Sequence, residues 1–191
     1  MNNETVSFDD ELLIVVDKDD NVIDYKTKDE CHAGDAILHR AFSIFIFNQN
    51  NELLLQKRSK EKPLWPKFWS NSCCSHPRKG ETRDEAAVRR LDEELGISTD
   101  LKHLYTFDYF APYSGKGSER EVCAIYLGFY DGELNSNPTE VADTEWVHID
   151  ELTESMETYP ERYTPWFRME WERLLSDFSN EITGEMSESQ S

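Results

Sequence analysis

Positive charge is scarce in this chain: 20 Lys and Arg stand against 39 Asp and Glu, a formal net charge of −19 over 191 residues. A surface of that sign repels phosphate backbones and anionic bilayers at long range, which argues against nucleic-acid and membrane partners. No run approaches the roughly 20 apolar residues of a spanning helix, and Met1 to Asp10 lacks the basic and apolar regions of an export signal. A cytoplasmic protein is expected. Only four cysteines occur, Cys31, Cys73, Cys74 and Cys123, and in that compartment they are expected as reduced thiols. Neither a Gly-rich dinucleotide fingerprint nor a P-loop is found, which sets aside both of those phosphate-binding folds. Internal repeats and Gly/Ser linkers are missing too. One domain over residues 1–178 is therefore expected, followed by a polar, acid-bearing, disordered tail at 179–191.

Within those limits the local patterns are clear. Leu12 to Val16 and Val22 to Tyr25 flank the turn-like Asp17 to Asn21 and predict a hairpin. Ala41 to Phe47 is a β-prone run, with Leu53 to Gln56 expected as its hairpin partner across Asn48 to Asn51. Thr82 and Glu85 form a capping box for a helix that ends before Gly96 and buries Ala86, Ala87, Leu91 and Leu95. Arg89, Arg90, Glu93 and Glu94 then fall on its flanks. Strands are expected near Leu101 to Tyr113, Glu121 to Tyr130 and Thr144 to Ile149, and helices near Asp150 to Glu157 and Pro165 to Phe178. Strands around one well-capped helix, with two helices at the end, describe an α/β (α+β) sandwich with a mixed sheet.

The chemistry concentrates in a few places. Cys74 stands two residues from His76, just ahead of the capped helix. His32 and His39 are too far apart for one helical turn but are compatible with a bend that returns both rings to one point. Glu119 and Glu121 at i, i+2 point to the same face of a strand, which makes either a metal site or a mutually repelling pair. Half of the basic residues fall between Lys57 and Arg90, as either an anion pocket or a solvated charged face.

The segments "HAGDAILHRAFS" (His32 to Ser43), "WPKFWSNSCCSHP" (Trp65 to Pro77), "RRLDEELG" (Arg89 to Gly96) and "EREVC" (Glu119 to Cys123) occur in one order. In that order they resemble type 1 isopentenyl-diphosphate isomerases, a branch of the Nudix superfamily, from about Glu11 to Trp171. The Nudix signature is in register at Glu81, Arg89, Glu93, Glu94 and Gly96. It departs at Ser75, where the signature has Gly, and at Arg90, where hydrolytic relatives carry a metal-binding Glu. The second departure is typical of the isomerase branch and speaks against the alternative, a Nudix hydrolase of a nucleoside diphosphate derivative.

The resemblance implies a Nudix-like sandwich, its mixed β-sheet flanked by helices. It implies that His32, His39, His76, Glu119 and Glu121 ligate one divalent ion, Mn2+ or Zn2+, and that Glu94 holds Mg2+ together with the substrate diphosphate. It makes Lys28, Arg58, Lys62 and Arg90 the diphosphate-binding cations. Cys74 and Glu121, assisted by Tyr109, become the proton-transfer groups, and Trp69 and Trp166 are expected to cover a carbocation. The implied partner is a small isoprenoid diphosphate, handled by a monomer or small homo-oligomer.

Overall fold

The computed structural model describes residues 4–182. β1 (Leu12–Val16) and β2 (Val22–Thr27) form the expected antiparallel hairpin. Thr27 then starts a five-residue helix, α1 (Lys28–His32), through a capping box with Glu30. The bend expected between His32 and His39 therefore follows a helical turn that ends at His32.

β3 (His39–Phe47) begins two residues earlier than expected and is the spine of the fold. One edge pairs in parallel with β8 (Gly117–Phe129) along its whole length, from His39↔Glu121 to Phe47↔Phe129. The other edge is shared by β1 at His39, by β6 (Cys73–Ser75) at Phe42 to Ile44, and by β4 (Glu52–Arg58) at Phe47 alone. The expected β3–β4 hairpin is thus corrected. Its turn forms, but after one pair the strands part, and β4 spends its length against β9 (Val141–His148) and β5 (Trp69–Ser70). Residues 69–75 run through the opening, with β5 on β4 and β6 on β3. β7 (Lys102–Tyr113) completes the sheet against β8.

Helices cover both faces, and β3 records this in its side chains. Phe42, Ile44 and Ile46 pack with Ala86, Ala87, Leu91 and Leu95 of α2 (Arg83–Leu95), whereas Phe45 and Phe47 pack with Phe167, Trp171 and Leu174 of α4 (Pro165–Asp177). A strand covered on both sides is apolar at successive positions, which is why Ala41 to Phe47 shows no alternation. α2 carries the expected capping box at Thr82 and Glu85 and closes at Gly96, whose φ of 67° is left-handed. α3 (Ile149–Thr158) lies on the α4 side, where Leu152 and Met156 join the core. Among the described residues no helix is long and apolar enough to cross a membrane.

The boundary expected at residue 179 moves. Residues 179–182 make a further helical turn, with the Ile182 amide donating to Phe178 O at 3.3 Å, and Ile182 is buried in the α4-side core because it is the apolar residue of that stretch. The rest of the expected tail, 183–191, lies outside the described residues.

Candidate active site

Strand register builds the site before any side-chain detail is needed. β7, β8, β3 and β6 lie side by side, with Tyr109 opposite Glu121, Glu121 level with His39, and Cys74 opposite Ser43. Paired residues share a face, and so do residues two apart, so Tyr109, Glu121, His39, Cys74 and His76 all face the α4 side. His32 arrives from the end of α1. Gly117 permits this approach: its φ is 153°, and a Cβ there would stand 2.6 Å from His32 O.

The three imidazole centroids lie 4.9 to 5.1 Å apart, and the ligand atoms of His32, His39, His76, Glu119 and Glu121 all fall within 4.8 Å of one another. Two rings have their tautomer set by backbone: Nδ1 of His32 donates to Lys28 O and Nδ1 of His39 to Ile37 O, each at 2.7 Å. Both Nε2 atoms are therefore left as acceptors facing the cluster centre. Nε2 of His32, Nε2 of His39 and Oε2 of Glu119 are buried and none makes a hydrogen bond of good geometry, although His32 Nε2 and Glu119 Oε2 stand only 2.8 Å apart. Buried polar atoms left unpaired are costly, and here they converge on one point; a divalent cation would satisfy them together. The donor set fits such an ion.

The charges agree. Burial and the neighbouring His39 and His32 push His76 well below its ordinary range, so it is a neutral ligand. Burial opposes ionisation of Glu121, but the neighbouring His39 imidazole and the hydrogen bond from Tyr109 outweigh it and hold the carboxyl below its ordinary value. Tyr109 Oη donates to Glu121 Oε2 at 2.6 Å, and Glu121 Oε1 lies 2.7 Å from His76 Nε2 and 3.6 Å from His39 Nε2.

Cys74 is partly accessible and opens on a pocket that Tyr109, Glu119, Glu121, His32, His76, Lys28, Arg58, Lys62 and Trp166 also line. Burial pushes its thiol up to about 12, against the pull of Arg58, whose Nη1 lies 3.9 Å from the sulfur. The thiol is protonated at neutral pH. Arg58 is itself held, donating from Nε to Trp65 O at 3.1 Å and from Nη2 to Leu64 O at 3.0 Å, with its guanidinium 5.3 Å from the Trp166 ring centroid.

At the other end of the pocket the cations are paired. Arg90 is 2% exposed and bonded to Glu94, which is 1% exposed and also accepts from Gln56 Nε2 at 3.1 Å. The flank position expected for these two residues is corrected: i, i+4 spacing stacks them on the buried side of α2, each shielding the other's charge. Arg89 grips Glu81 bidentately at 2.7 and 2.8 Å and reaches Glu93 at 2.9 Å, a clamp between the loop and the helix. Burial, and then the neighbouring Lys62, lower Lys28 to about 8.

Not every expected residue reaches the pocket. Arg90 and Glu94 lie behind its wall. Trp69 joins the α4-side core with Lys57 Nζ 5.5 Å from its ring, because β5 pairs it with Lys57, so it does not line the cavity as expected. The basic cluster divides: Arg58 and Lys62 face the pocket, while Lys60, Lys67 and Lys79 are exposed. Two buried carboxylates went unread in the sequence: Glu140, between Lys62 and Arg90, and Glu170, which accepts from Ser43 Oγ at 2.7 Å. Neither lies in a motif, and no local pattern marks a Glu for burial.

A mixed, doubly covered sheet with a capped acidic helix and a convergent His/Glu cluster defines a divalent-metal-compatible α/β sandwich of the Nudix type. The NUDIX domain profile matches residues 37–167. DR0079 of Deinococcus radiodurans has the same fold, with a TM-score of 0.71 at 21% identity over 85% of this chain and 98% of that one. Two curated relatives narrow the class. Isopentenyl-diphosphate Delta-isomerase 1 of Photorhabdus laumondii is 39% identical over 90% of this chain and 99% of its own. Isopentenyl-diphosphate Delta-isomerase of Serratia proteamaculans is 44% identical over 83% and 88%. The chain belongs to the isopentenyl-diphosphate Delta-isomerase family of Nudix proteins.

Proposed function

We propose that this protein isomerises isopentenyl diphosphate to dimethylallyl diphosphate, supplying precursors for isoprenoid synthesis in the cytoplasm as a monomer or small homo-oligomer. The observation that carries the reading is that a neutral thiol, Cys74, and a hydrogen-bonded pair, Tyr109 and Glu121, line one pocket. Moving a double bond by one carbon requires a proton delivered at one end and another removed from the neighbouring carbon. Cys74 is one of the two proton-transfer groups, and Glu121 with Tyr109 is the other. Between the two transfers the substrate is a tertiary carbocation, which water would trap as an alcohol. Leu64, Trp166 and the Trp65 ring set edge-on against it at 5.1 Å limit water at that point, and the indole face attracts positive charge.

His32, His39, His76, Glu119 and Glu121 would hold a divalent cation whose charge keeps Glu121 ionised and oriented; three imidazoles with two carboxylates suit manganese or zinc better than calcium. Lys28, Arg58 and Lys62, which line the pocket, bind and orient the diphosphate oxygens, while Arg90 adds positive charge from behind the wall and Glu94 beside it is the carboxylate that would hold a magnesium ion accompanying the diphosphate. Hydrolysis of a nucleoside diphosphate derivative is the weaker reading, since Arg90 replaces a carboxylate of the hydrolytic signature and the curated relatives are named isomerases. Incubation with isopentenyl diphosphate in deuterated water separates the two. Deuterium in an allylic diphosphate is the expected product, and phosphate release without it would overturn the proposal.

A further inference from the structure

Between the pocket and α2 lies a carboxylate that the reaction above does not use. Glu140 is 3% exposed and sits in the loop leading into β9. Its carboxylate pairs with Lys62 Nζ, and its Oε2 lies 3.2 Å from Arg90 Nη2. Those cations come from different elements: Lys62 from the loop after β4, Arg90 from the middle of α2. The loop bearing Glu140 is anchored to both. Its carbonyl accepts from Ser59 N at 2.9 Å, and Asn137 N donates to Glu94 O at 2.8 Å. Glu140 is thus a fixed point between one long flexible ammonium that lines the pocket and one guanidinium that lies behind its wall.

We infer that Glu140 is a positioning residue that holds Lys62 and Arg90 together at the diphosphate end of the pocket. The inference rests on the isomerase reading for the identity of the anion, but the geometry is independent of it. Two largely desolvated cations brought this close repel unless an anion lies between them, and a lysine released from its carboxylate partner samples many rotamers. A carboxylate in this place also has an effect of opposite sign, since its charge opposes the incoming anion. If positioning dominates, removing the charge weakens anion binding; if neutralisation dominates, removing it strengthens binding.

The test uses the full chain and two variants, Glu140→Gln and Glu140→Asp, with KM and kcat for isopentenyl diphosphate and, separately, calorimetric binding of inorganic pyrophosphate with magnesium. The expected result for Glu140→Gln is about a tenfold rise in KM and in the pyrophosphate Kd with kcat within about twofold, and for Glu140→Asp a partial recovery of both. Unchanged or tighter pyrophosphate binding in a folded Glu140→Gln variant overturns the inference. Should Glu140→Gln not fold, Glu140→Asp decides alone: a severalfold weaker pyrophosphate affinity supports the inference and an unchanged one refutes it. If the wild-type chain binds pyrophosphate but forms no allylic product, the isomerase reading fails while this test still stands.

Discussion

The two ends of the pocket handle buried charge in opposite ways. At the His/Glu end, ligand atoms are aimed at a common point and three of them make no hydrogen bond of good geometry, while the outer faces of His32 and His39 are fixed by the carbonyls of Lys28 and Ile37. At the cation end four buried or half-buried charges are paired in a chain from Glu94 through Arg90 and Glu140 to Lys62. The contrast teaches what each end is prepared for. A coordination site must be rigid with its acceptors free before the ion enters. An anion site made of long cationic side chains would be disrupted by self-repulsion, and internal carboxylates hold it together until a diphosphate competes for the same donors.

Variants can break this contrast in order of expected effect. Cys74→Ala should lower isomerisation by about a thousandfold or more, the scale of a lost proton-transfer group, with fold and metal content retained. Deuterium incorporation and elemental analysis read both, and a normal rate would remove Cys74 from the chemistry. His39→Gln should weaken divalent-ion affinity by at least about a hundredfold while pyrophosphate binding changes by less than about twofold. Parallel loss of both would show that the two ends are not separable. Glu94→Gln should leave the His/Glu ion in place and raise the magnesium-dependent KM by about tenfold, since hard oxygen donors set that ion's binding. An unchanged magnesium requirement would count against Glu94.

The smallest effect is one of pH. Lys28 is lowered to about 8 by burial and by Lys62, so it is charged below that pH and neutral above it. Binding of a diphosphate favours the charged form, so kcat/KM should fall by about threefold between pH 7 and pH 9 for this group. Lys28→Arg stays charged throughout and should flatten that limb. A limb that persists in the variant belongs to another group.

Much of the site was legible in the residues, but unevenly. The α2 boundaries were readable because a capping box and a left-handed glycine act within four residues of themselves. The residues of the metal cluster were readable as a set through their resemblance to a known pattern, while residue types and spacing alone left a metal site, a repelling pair and a solvated strand end open. What was misread depends on distant partners. Trp69 could be assigned to the pocket or the core only once its pairing with Lys57 was known. Arg90 and Glu94 read as flank residues because helical geometry alone does not say that Glu140 and Gln56 wait on the other side.

By itself the chain's sequence determined the elements whose causes are local: the first hairpin, the capped helix, and the strand at the β-prone run Ala41 to Phe47. Only the tertiary structure decided that β4 leaves β3 after a single pair, that residues 69–75 thread the gap, and that Glu140 and Glu170 are buried. The reason is physical. Capping and side-chain periodicity are set by neighbours along the chain, whereas strand partnership and the burial of a charge depend on which distant edge or counter-ion is free to receive them.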